Sequence, residues 1–142
     1  MSIRDSDEIE AVKGYARAWS DFPLEIVDES EHFAIFNEFS QRHQIRGWHR
    51  QQIIKLYAPA LVDTEYFLVF DPDCFATHPF TAETLIIDGK ALTHYLPRTT
   101  EERFWLASAQ LLDVDPHLER DGLWWTPTIL SRTICLHLQH RL

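Results

Sequence analysis

The segment Tyr66-Phe67-Leu68-Val69-Phe70, closed by Asp71-Pro72-Asp73, constrains this chain more than any other. Five consecutive apolar residues, three of them aromatic and one β-branched, read as a strand covered on both faces, which suits a mostly parallel sheet with helices above and below. Asp71-Pro72-Asp73 ends it, because proline has no N–H for a ladder and aspartates bond to their own turn backbone. Other patterns fit around this strand. Apolar spacing predicts helices over Ser6–Trp19, Glu31–Phe39, Trp48–Ala58 and Glu101–Leu112, with a last helix from about Thr128 to the end. Leu24–Val27 reads as a short strand. Leu85–Ile87 and Ala91–Tyr95 flank Asp88-Gly89, the signature of a tight hairpin. Leu123–Pro127 reads as a loop or short strand. The element order α, β, α, α, β, β, β, α, α makes the class α/β or α+β with a central sheet, in one domain of 142 residues.

Charge narrows the function. Twenty-two acids against 13 bases leave a net charge of -9, the wrong sign for gripping nucleic acid or an anionic membrane surface. No apolar run approaches the roughly 20 residues that span a bilayer, and the polar start MSIRDSDEIE does not resemble a secretory signal, so a cytoplasmic location is expected. Cys74 and Cys135 make no disulfide framework, and 4 glycines leave no glycine-rich phosphate loop.

The chemistry-bearing spot is Asp71 and Asp73. Ligands of open α/β sheets bind outside the carboxyl ends of strands. Two acids converging there repel unless they share a cation, and hard oxygens suit Mg²⁺ or Mn²⁺ completed by substrate phosphates. Ordinary turn chemistry accounts for the same three residues. His78 follows closely, and His137 and His140 stand at i, i+3 on the last helix; both are weaker metal candidates than the acid pair. Cys74 fits a small packing role.

Gly47-Trp48-His49-Arg50-Gln51-Gln52-Ile53-Ile54-Lys55-Leu56, the strand running into Asp71-Pro72-Asp73-Cys74-Phe75, Asp88-Gly89-Lys90, and Trp125-Thr126-Pro127 together resemble a bacterial family of GT-A-type glycosyltransferase-like proteins, a domain of unknown function with a DxD motif. The resemblance covers about Gly47 to Arg132. It implies a Rossmann-like, GT-A-type mixed sheet flanked by helices. Asp71 and Asp73 would hold Mn²⁺ or Mg²⁺ against the diphosphate of a nucleotide sugar such as a UDP-sugar, with transfer to a bacterial glycan or related acceptor. Arg50 and Lys55 would approach the donor phosphates, or else be solvated helix residues. Gln51 would meet substrate or brace the strand. Trp125 and Thr126 are candidate acceptor contacts beside Trp124, since sugar faces stack on aromatic rings; core packing is the plain alternative for the tryptophans.

The chain departs from that family by lacking a first base-binding strand and a downstream catalytic acid, so a truncated domain is expected and no catalytic residue is assigned. An unpaired sheet edge then points to a homodimer. Two rival readings follow: a non-catalytic remnant that associates through that edge, and a hydrolase using metal-bound water.

Overall fold

The computed structural model describes residues 6–18, 25–28, 32–33, 47–123 and 126–141. The chain divides into two compact units, Met1–Ala60 and Leu61–Leu142.

In the first unit, helix α1 spans Ser6–Arg17, as its apolar spacing predicts. Helix α2 spans Gly47–Tyr57 and tightens into a 3₁₀ turn at Ala58–Ala60, where Pro59 is buried. The i, i+3, i+4, i+7 spacing of Ile53, Leu56, Tyr57 and Ala60 predicts a core-facing stripe, which the structure follows only in part. Ile53, Leu56 and Tyr57 are half-buried and Ala60 is exposed, while the residue of this helix that is buried outright is Arg50. Residues 25–28 form no strand, contrary to the reading of Leu24–Val27. Of the helix expected over Glu31–Phe39, only residues 32–33 lie within the described residues, and Phe33 is buried.

The second unit is built from two-residue to four-residue strands. Strand β1, Tyr66–Val69, pairs antiparallel with β6, Thr128–Ser131, in the register Tyr66↔Ser131 to Val69↔Thr128. This corrects two expectations. First, β1 is half-buried along its whole length rather than covered on both faces, and its described partner is antiparallel. Second, the C-terminal segment does not begin as a helix at Thr128. Thr128-Ile129-Leu130 pairs as a strand with Ile129 buried, and helix α5, Arg132–Arg141, starts only after Ser131. Ser131 makes that break: its Oγ accepts the Ile134 N–H at 3.1 Å, which is N-cap chemistry.

Between β1 and β6 the chain forms a short helix, a hairpin, a second pair of strands and a longer helix. The short helix α3, Ala82–Leu85, leads into β2, Ile86–Ile87, which turns through Asp88-Gly89 into β3, Lys90–Ala91. Asp88 at φ 51° and Gly89 at φ 72° are both left-handed, the demand of a type I′ turn and the reason Asp-Gly marks it. The second hairpin arm is shorter than expected, because Tyr95 belongs to β4, Tyr95–Pro97, paired antiparallel with β5, Asp121–Leu123. Tyr66 Oη donates to Gly89 O at 2.7 Å and so ties β1 to the hairpin turn.

Helix α4, Glu102–Leu112, follows a 3₁₀ turn at Arg98–Glu101 and ends on Asp113 in the left-handed region. Apolar spacing predicts an inward stripe of Phe104, Ser108, Leu111 and Leu112, but the first three are exposed and only Leu112 is half-buried; the inward face is the i, i+4, i+7 set Trp105, Ala109 and Leu112. Trp105 explains the choice. Its ring lies under the Arg98 guanidinium, 4.5 Å from carbon to ring centroid, and against Gly122 of β5.

Candidate functional site

The register of β1 and β6 carries beyond their last pairs and organises the polar residues at both ends. At one end, Glu65 falls opposite Arg132, whose N–H donates to Glu65 O at 2.7 Å. The Glu65 carboxylate accepts from Ser131 Oγ at 2.6 Å on one oxygen and from Thr133 Oγ1 at 2.8 Å on the other. Those two hydroxyl bonds hold the carboxyl of Glu65 below its usual range. Arg132 adds a bond from Nε to Val62 O at 3.2 Å.

At the other end, Phe70 falls opposite Pro127 and Asp71 opposite Thr126. Proline offers no N–H, so the ladder stops there. Two side chains continue the pairing in its place: Thr126 Oγ1 donates to Asp71 Oδ2, across 55 residues of sequence. Both residues are half-buried. The Thr126–Pro127 peptide bond is cis. Asp71 also anchors its own turn, since its carbonyl accepts the Cys74 N–H at 2.9 Å.

Asp73 is different. It is exposed at the turn, and no described residue bonds to its carboxylate. The loop that carries both acids runs from Phe70 to Phe80, whose rings stack at 6.4 Å between centroids, with Phe75 82% exposed between them. His78 is exposed and shares a 3.1 Å contact between its Nδ1 and Thr77 Oγ1.

The expected site residues therefore separate into three groups. Asp71, Asp73 and Thr126 lie in one unit, and two of them touch. Arg50, Gln51 and Lys55 belong to the first unit, where Arg50 is buried at 7% exposure rather than solvated, and Gln51 and Lys55 are half-buried. Trp125, like Trp124, lies outside the described residues. His137 and His140 are exposed on α5, and Cys135 between β6 and their helix turn is buried, which pushes its thiol up. Among the described residues no group of three or more His, Cys, Asp or Glu side chains is placed to hold a metal ion. No described helix is long and apolar enough to cross a membrane.

Glu65 was not singled out by its sequence context. Its partners lie 66 and 68 residues on, at the helix start of Ser131-Arg132-Thr133, where a carboxylate is favoured by the unpaired N–H groups and the helix dipole.

The molecule so described is a mixed α/β chain whose described ladders are antiparallel pairs, with an acid-bearing turn at the mouth of one of them. It belongs to a family of unknown function, DUF6492, whose family model matches residues 1–142. No curated protein and no solved structure matches the chain.

Proposed function

We propose that Asp71 and Asp73 bind a divalent cation together with the diphosphate of a nucleotide sugar, in a GT-A-like domain that transfers the sugar to a glycan or related acceptor. The observation that carries the reading is the pairing of the two resembling motifs: the strand entering Asp71-Pro72-Asp73 lies beside the segment following Thr126-Pro127, and a side-chain bond joins them. The donor set fits the cation. Two carboxylates supply hard oxygen, one fixed at the ladder end and one open to solvent, and Mg²⁺ or Mn²⁺ completes such a set from substrate phosphates rather than from a full protein cage. When bound, the cation would neutralise charge building on the departing diphosphate. Asp71 supplies a directed oxygen, and Asp73 supplies one that can reach an entering ligand.

Calorimetry with Mn²⁺ and UDP tests this directly. The parent chain is expected to give metal-dependent heat that Asp73→Ala and Asp71→Ala abolish. Absence of metal-dependent heat with every nucleoside diphosphate refutes the reading.

One observation favours the rival, non-catalytic reading. Asp71 already serves the fold twice, through its carbonyl to Cys74 and its carboxylate from Thr126. An interaction module built on this scaffold predicts a concentration-dependent dimer without nucleotide binding, which light scattering beside the same titration distinguishes.

A further inference from the structure

We infer that Thr126 is the positioning residue that aims the Asp71 carboxylate for cation binding, an inference that rests on the function proposed above. By residue type alone Thr126 reads as an acceptor contact. Its place in the fold is against that role, because the β1–β6 register sets it opposite Asp71 and its hydroxyl is spent as a donor to Asp71 Oδ2.

A carboxylate on a turn swings about two side-chain torsions, and a cation gains from a ligand whose direction is already fixed. Asp71 is restrained from both sides. Its carbonyl is held by the Cys74 N–H at 2.9 Å, which closes the turn, and its Oδ2 is held by Thr126, which Thr128–Ser131 anchors to Tyr66–Val69. Asp73, two residues on, has no such bond to any described residue. The pair thus divides into an aimed ligand and an adaptable one, and the aiming comes from the far motif.

A purely structural brace is the competing account, and the opposite end of the same ladder supplies its control. There Ser131 donates to Glu65 at 2.6 Å, well away from the acid turn in the register. The experiment compares Mn²⁺ affinity and thermal midpoint in the full chain for the parent, Thr126→Val, Thr126→Ser and Ser131→Ala, with free Mn²⁺ read by electron paramagnetic resonance in the presence of UDP. Thr126→Val is expected to weaken Mn²⁺ binding about 10–100-fold, the usual effect of removing a group that orients a ligand. Thr126→Ser, which keeps the donor, should restore affinity to within about threefold of the parent. Ser131→Ala should lower the midpoint and leave affinity unchanged. Thr126→Ala replaces the valine variant if that chain does not fold. Parent-like Mn²⁺ affinity in a folded Thr126→Val or Thr126→Ala chain overturns the inference while leaving the cation reading intact. A parent that binds no Mn²⁺ overturns both.

Discussion

Replacing Gly122 by alanine should destabilise the second unit through a single collision. Gly122 is buried in β5, and a Cβ built there meets Trp105 Cζ2 at 2.2 Å and Cη2 at 2.3 Å. Ordinary contact begins near 3.4 Å, so the ring must recede by about 1.2 Å (3.4 less 2.2) or β5 must leave β4. Neither move is free. The ring carries the Arg98 guanidinium 4.5 Å from its centroid, and Arg98 is pinned by Nη1 to Pro116 O at 2.6 Å and by its N–H to Arg120 O at 3.1 Å. Overpacking of this kind costs about 1–3 kcal/mol. Alanine also restricts the unfolded chain, which returns roughly 0.4–1 kcal/mol. The net expectation is a loss of about 1–2 kcal/mol, or roughly 4–8 °C per kcal/mol in a unit of this size. Urea and thermal unfolding followed by far-ultraviolet circular dichroism measure it. Trp105→Phe removes the two atoms that collide, so the double variant should recover about 1 kcal/mol relative to the sum of the singles. An unchanged Gly122→Ala chain, or strict additivity in the cycle, refutes the argument.

Two further perturbations test local chemistry. Because the hydroxyls of Ser131 and Thr133 hold the Glu65 carboxyl below its ordinary value of 4.5, the ionised form is favoured by folding. Its contribution to stability is complete above that value and disappears as pH falls through the lower folded value, so Glu65→Gln should flatten that part of the acid-side decline in melting temperature; parallel declines in parent and variant would contradict it. Gly89→Ala meets nothing within 4 Å, so its cost is the left-handed backbone at φ 72°, about 1–2 kcal/mol by chemical denaturation, and an unchanged midpoint would show that the turn reshapes instead.

What could be read in the sequence was local. Asp88-Gly89 names its turn because only residues that tolerate positive φ fit both positions, and the α2 and α4 segments carry enough periodic length to declare themselves. Thr128-Ile129-Leu130 was not legible. A short apolar run suits either strand or helix, and the choice was made by Tyr66–Val69, far away in sequence. The face of α4 failed for a related reason: Phe104 and Trp105 are adjacent, and Gly122, through the space it leaves, selects the tryptophan. At the candidate site, Asp71 and Thr126 were each conspicuous alone. Their bond depended on a strand register that no residue near either one encodes.

That bond also decides which aspartate is the informative one to remove. Asp71→Ala takes away a candidate ligand and, with it, the acceptor of the half-buried Thr126 hydroxyl; losing that hydrogen bond costs about 0.5–1.5 kcal/mol. Lost Mn²⁺ binding in that variant is then equally the mark of an opened ladder end. Asp73 has no such entanglement. It is exposed and bonds to no described residue, so Asp73→Ala should melt within about 0.5 kcal/mol of the parent. Mn²⁺–UDP heat that vanishes in a chain of unchanged stability points to ligand chemistry at the turn. An Asp73→Ala chain that melts with the parent and binds Mn²⁺–UDP as the parent does would reduce the acid pair to turn formation, with Asp71 serving the ladder and Asp73 serving nothing beyond solvation.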